Sequence, residues 1–191
     1  MSNLGFRVQI TVGLAGQPNV GKATIFSLLT GLSQHASTWP GAGIERKTGT
    51  YQQEGISLQV VDLPSTYGLT ANCLDERVTR DYIIKERPDV VMLIADAAAL
   101  ERSLYLLAEL LCLPVPVVLG LNMMDVAEQQ GIHVEPHVLE AALGLPVVPM
   151  AASRNQGLRE LAEAVARVAG SPPAGTPNCP EIREDHREVL E

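Results

Sequence analysis

The chain has little cysteine. Cys73, Cys112 and Cys179 are the only three in 191 residues, and none stands in a CxxC spacing. That excludes a zinc knuckle and argues against a disulfide scaffold, as expected of a chain kept in a reducing cytoplasm. Basic residues are also short: 14 Lys+Arg against 22 Asp+Glu leave a net charge of −8. Such a chain is poorly suited to wrapping nucleic acid through its phosphates. One small anion remains within reach, because backbone amides bind anions without net positive charge. No apolar run approaches the ~18–20 residues needed to span a bilayer. The N-terminus has no charged stretch followed by an apolar one and a cleavage site, so the chain reads as soluble. Against these absences, 46% of the residues are hydrophobic, enough for a sizeable core. The length suits one domain with room for a fragment of a second.

Strand-like and helix-like stretches alternate. Strands are predicted at 8–15, 56–63, 90–95, 115–121 and 147–151, with 48–53 as the hairpin partner of 56–63. Helices are predicted at 22–32, 75–87, around Leu100–Leu111, at 137–143 and at 158–168. Residues 33–47 show little apolar periodicity and contain Pro40, Gly41 and Gly43, so a loop is expected there. The alternation predicts an α/β fold with a mainly parallel sheet and helices on both faces. No internal repeat is evident. Residues 171–180 carry four prolines and read as a stiff linker after a domain spanning 1–170. The charged segment 181–191 is either a disordered tail or the first turns of a truncated second domain.

Four motifs fall at predicted strand ends, where ligands bind in such sheets. Gly16-Gln-Pro-Asn-Val-Gly21-Lys22 lies between a strand and a helix. A glycine-rich turn there offers amides to a phosphate at the positive end of the helix, and Lys22 adds a charge for the outer phosphates. The plain alternative is an ordinary strand-to-helix turn. Asn122-Met-Met-Asp125 supplies a carboxylate able to accept from N1–H and the exocyclic amine of guanine, a pattern adenine cannot satisfy. Asn122 can touch the base and brace the phosphate loop. Asp62-Leu-Pro-Ser65 offers an aspartate of the kind that holds a magnesium shell through water. The backbone amides of Ala151-Ala152-Ser153 could meet guanine O6.

These motifs, with Trp39–Lys47 (WPGAGIERK), Asp62–Leu69 (DLPSTYGL), Leu100–Leu107 (LERSLYLL) and Leu121–Glu128 (LNMMDVAE), match in order and spacing. From about Val8 to Val168 the chain resembles the cytosolic G domain of the prokaryotic ferrous iron transport protein B (FeoB) family. The resemblance implies a Ras-like P-loop fold with a six-stranded sheet. It also implies guanine-nucleotide binding, magnesium, and a possible potassium ion held by Asn19 in place of an arginine finger. Helical regulatory and membrane-spanning domains of the same protein would be its partners, with the G domain at the cytoplasmic face of the cell membrane. The nucleotide would be lined by Gly16, Asn19, Gly21, Lys22, Ala23, Thr24, Asp62, Ser65, Asn122, Asp125, Ala151 and Ala152. The family lacks a water-orienting glutamine, and Thr66 follows the Asp62 motif here.

Four departures from the family pattern stand out. Ala23 replaces the hydroxyl that ligates magnesium, and Gly43 stands where the first switch loop should carry a threonine ligand. Ser65 replaces the glycine whose amide senses the γ-phosphate, and Ala151 replaces a serine of the base loop. Three of the four lie on the phosphate side. The expectation is a domain that binds GDP and GTP alike and hydrolyses GTP slowly. The alternative is an occupancy sensor with little or no turnover. An RNA-assembly GTPase is disfavoured by the charge of −8. His133 and His137 are expected to be solvated, with Pro136 between them. Met123 and Met124 are expected to pack, Trp39 to be partly exposed, and Glu45-Arg46-Lys47 to form a solvated face.

Overall fold

The structure is a computed structural model that describes residues 9–31, 34–70 and 72–170. The expected linker and tail at 171–191 lie outside the described residues. In chain order the elements begin with β1 (Ile10–Gly16), α1 (Lys22–Thr30), β2 (Gln34–Thr38), β3 (Glu45–Gln53) and β4 (Ile56–Asp62). Next come α2 (Leu74–Asp81), a π-helical turn (Tyr82–Glu86), β5 (Val90–Asp96) and α3 (Leu100–Leu111). The rest are β6 (Val117–Asn122), α4 (Met124–Gln129), α5 (Pro136–Leu143), β7 (Val147–Pro149) and α6 (Leu158–Ala169).

The strands form one sheet in the order β2-β3-β4-β1-β5-β6-β7. β4-β1-β5-β6-β7 are parallel, and β2 and β3 are added antiparallel at one edge. Central β5 shows why the sheet needs two covered faces: Val90 to Ala95 are all buried. Val90, Met92 and Ile94 pack with Ile25, Phe26 and Leu29 of α1 and Leu161 and Val165 of α6. Val91, Leu93 and Ala95 pack on the other face with Leu106, Leu107 and Leu110 of α3. Burying each such side chain contributes roughly 1.5–3 kcal/mol. Gly120 in β6 makes room for its neighbours, since a Cβ there would lie 2.8 Å from Ile94 Cδ1 and 3.1 Å from Met150 Sδ.

The β3–β4 hairpin forms as expected. Gln53 pairs with Ile56, and Glu54 and Gly55, both at positive φ, make the two-residue turn that suits the strand twist. α5 starts at Pro136 and ends at Gly144 in the left-handed region.

Four expectations need correction. The sheet has seven strands, not six, because β2 forms inside the segment read as a loop. All five β2 side chains are exposed, so backbone pairing with β3 makes the strand and no hydrophobic alternation announces it. Trp39 is buried, not partly exposed, at 4% accessibility. Arg46 does not belong to a solvated face: its guanidinium lies over the Trp39 ring. The helix expected to run to Arg87 instead widens into the π-helical turn. Short α4 had no readable period. Cys73 is a free, exposed thiol.

Candidate nucleotide site

The phosphate loop runs from the end of β1 into α1. Gly21, at φ 86°, is the residue before the helix, and the first turn of α1 carries no acidic side chain. The positive end of the helix dipole is therefore not neutralised locally. Two glycines are dictated by close approach. A Cβ on Gly16 would lie 2.9 Å from the Ile94 carbonyl, and one on Gly21 would overlap Asn122 Nδ2. Asn19 sits exposed on the crest in the left-handed region, at φ 68°. Ala23 and Thr24 are exposed on the first turn of α1. Gln17 is buried, and its Nε2 donates to the Arg102 carbonyl of α3, fastening the loop from below.

Lys22 is 8% exposed and already engaged. Its Nζ donates to Asp62 Oδ1 at 2.5 Å and to the Leu63 carbonyl at 2.6 Å. The segment after β4 is laced to β1 by two more bonds. Leu63 N–H donates to the Leu14 carbonyl at 3.0 Å and Thr66 N–H to the Gly16 carbonyl at 3.2 Å. Thr66 is buried with its hydroxyl donating to the Gly68 carbonyl, so it is spent on the loop's own turn. Ser65 is half-buried beside it.

On the other side β6 ends at Asn122, 3% exposed. Its Nδ2 donates to the Val20 carbonyl of the phosphate loop at 3.0 Å. Its Oδ1 accepts the Ala152 N–H at 3.0 Å. One buried amide thus ties the phosphate loop, β6 and the loop after β7. Met123, at φ 62°, turns the chain into α4, and Met124 packs against the core. Asp125 lies in the first turn of α4, its carboxylate 12% exposed. Oδ2 accepts from Ser153 Oγ at 3.2 Å and lies 3.3 Å from Arg154 Nε. A carboxylate has about four acceptor sites, so capacity remains for a base edge. The Ala151 N–H donates to the Gln156 carbonyl at 3.2 Å. In this arrangement both alanine amides of the base loop have partners within the protein.

The structure therefore gathers the phosphate loop, the Asp62 segment, Asn122, Asp125 and the 151–154 turn at one end of the parallel sheet. Sequence reasoning missed Gln17 and Arg154. The usable signal for Arg154 was a cation in the loop expected to face the Asp125 carboxylate. Beside Asp125 a cleft of about 490 Å³ is lined by Met124, Glu128, His133, Glu135, Ala151 and Arg154 among others. His133 precedes α5 and His137 is exposed within it. Among the described residues no cluster of His, Cys, Asp and Glu has metal-holding geometry. None of the described helices is long and apolar enough to cross a membrane.

A family model described as ferrous iron transport protein B matches residues 10–165. The Fe(2+) transporter FeoB of Shigella flexneri is 41% identical over 163 residues, covering 83% of this chain. The chain spans 21% of that relative's length. Among solved structures, the cytosolic domain of T. maritima FeoB in a GDP form superposes with a TM-score of 0.84 at 38% identity. That match covers 87% of this chain and 66% of that one. The FeoB G domain from Methanococcus jannaschii matches with a TM-score of 0.76 at 41% identity, over 85% of this chain and 99% of that one. The chain belongs to the ferrous iron transport protein B family, and its described residues are that family's G domain.

Proposed function

We propose that this domain binds GDP and GTP with similar affinity and hydrolyses GTP slowly, regulating iron(II) uptake by a longer transporter. The observation that carries this reading is the buried Asn122. It joins the phosphate loop to the base loop at the sheet end where Lys22 and Asp125 also lie. The amides of residues 17–22 and the dipole of α1 would take the phosphates, and Lys22 the outer charge. Asp125 would read the guanine edge. Gly16, Asn19, Gly21, Ala23, Thr24, Ser65, Ala151 and Ala152 would line the nucleotide. Residues 1–170 act as the nucleotide unit, with 171–191 leading toward the helical and membrane-spanning parts, at the cytoplasmic face of the membrane.

The residues present do not fit a magnesium ion with direct protein ligands. Ala23 and Gly43 offer no side-chain oxygen, and the Asp62 carboxylate is held by Lys22. Hydrolysis here would rest on phosphate positioning and charge stabilisation, since none of the described side chains is an evident base. Asn19 fits potassium better, because its exposed amide offers a neutral oxygen at the crest of the loop. A potassium ion there would supply positive charge against the phosphates.

A hydrogen bond to a charged group contributes roughly 1.5–3 kcal/mol, about 10- to 150-fold per contact. Missing contacts on the γ-phosphate side therefore favour near-equal GDP and GTP affinity. The test is a fluorescent-nucleotide titration in magnesium with single-turnover hydrolysis in potassium and in sodium. A GTP preference of many-fold would overturn the equal-affinity reading. Binding without any turnover would favour the occupancy sensor, a reading that Ala23, Gly43 and Ser65 support.

A further inference from the structure

The segment before β3 is fastened at one end. No β2 side chain is buried, and only pairing with β3 holds the strand to the sheet edge. Immediately after it the Trp39 ring is buried. The backbone N–H of Trp39 donates to the Ile44 carbonyl at 2.8 Å, closing a tip in which Gly41 and Gly43 have positive φ. The Trp39 ring meets Tyr82 edge-on, with centroids 5.5 Å apart and planes at 79°. The Arg46 guanidinium lies 4.5 Å from the Trp39 centroid and 5.5 Å from that of Tyr82. Its two terminal nitrogens fork onto Glu86 at 3.0 and 2.9 Å. Such a fork fixes direction as well as distance.

Tyr82 and Glu86 are the first and last residues of the π-helical turn that continues α2. Such turns cost stability relative to a regular helix and recur where a helix does a particular job. Here the turn carries both groups that grip the 39–46 hairpin. Three residues earlier, the Thr79 hydroxyl donates to the Pro64 carbonyl at 3.2 Å. Pro64 belongs to the Asp62–Thr66 segment that touches Lys22 and the phosphate loop. α2 and its π-helical end are thus tied at one point to the phosphate side of the cleft and at another to the hairpin.

We propose that Trp39, Arg46, Tyr82 and Glu86 form a clamp that couples the 34–47 hairpin to α2, so that the two open and close as one unit. β2, with nothing buried, frays at little cost, but lifting the hairpin past the buried Trp39 requires the clamp on α2 to give. Arg46 and Glu86 are positioning residues, acting through the hairpin and α2. The clamp's use by nucleotide rests on the function proposed above; the coupling itself does not.

The experiment is hydrogen exchange on the whole nucleotide-free chain, comparing wild type, Arg46→Met, Glu86→Gln and the double variant. Either single change should raise exchange about tenfold in both 39–47 and 79–87, the scale of one lost charged hydrogen bond. β6 and α6 should stay unchanged. The double variant should exchange no faster than the faster single, as for residues acting in one unit. An effect confined to the mutated segment, or additive singles, would overturn the clamp. Glu86→Gln removes only a charge from a half-exposed side chain, so misfolding would not mask the answer. A parallel titration with fluorescent GDP reads the nucleotide function independently. With nucleotide bound, wild type should change protection in 34–47 and 74–86 together, and Arg46→Met in 74–86 alone. Equal hairpin responses in both proteins would overturn the clamp's use by nucleotide, whereas the nucleotide-free exchange decides the coupling itself.

Discussion

On the base side of the cleft, one buried asparagine joins three segments and a neighbouring carboxylate is held by a hydroxyl and an arginine. On the phosphate side, the lysine is occupied by Asp62 and Leu63, and neither Ala23 nor Gly43 carries a side-chain oxygen. The first half is organised before any ligand arrives. The second must exchange internal bonds for external ones. On the function proposed above, base identity and phosphate count would then be read by separable halves of the site.

The largest test of that contrast is Asp125→Ala. Removing a carboxylate that accepts from two guanine donors should weaken GDP binding by about 100-fold or more, measured by fluorescent-nucleotide titration. A small loss would place base reading elsewhere. Next comes Asn122→Ala, which strands the Val20 carbonyl and the Ala152 N–H. It should cost about 2–3 kcal/mol of stability in nucleotide-free protein, read by denaturant unfolding, whereas a change confined to the phosphate side should not. Ala23→Ser should sharpen the phosphate half alone. It should raise GTP affinity over GDP by about tenfold in magnesium and leave GDP affinity in EDTA unchanged. The smallest effect is expected from Asp62→Asn. Freed of its ion pair, Lys22 should bind nucleotide about threefold more tightly in EDTA. Weaker binding there would mean that Asp62 helps the ligand rather than competing with it.

Much of this was legible in the sequence. The run Val90–Ala95 is typical of a strand covered on both faces, and Gly16–Lys22 and Asn122–Asp125 fell at predicted strand ends, where a parallel sheet gathers ligands. What stayed hidden was whatever depends on partners distant in sequence. Gln34–Thr38 has no hydrophobic alternation, because its strand is made by the backbone of β3. Trp39 read as a partly exposed loop residue because the groups that cover it, Arg46 and Tyr82, are not its sequence neighbours. The Lys22–Asp62 pair spans 40 residues and Gln17–Arg102 spans 85, so neither leaves a local trace. The widening of α2 at Tyr82 follows no residue pattern that separates it from a regular helix. In these places tertiary contact, not periodicity, decides conformation.

Gly21 deserves a different reading from the one its dihedral angle invites. Between the loop for the charged end of a ligand and the amide that organises the opposite end there is less room than a methyl group fills. No side chain can be inserted there without prying Asn122 away from Val20. The two halves can therefore differ in chemistry but not in spacing. Alterations that retune one end must act at its outer rim, at Ala23, Ser65 or Arg154, and leave the seam untouched.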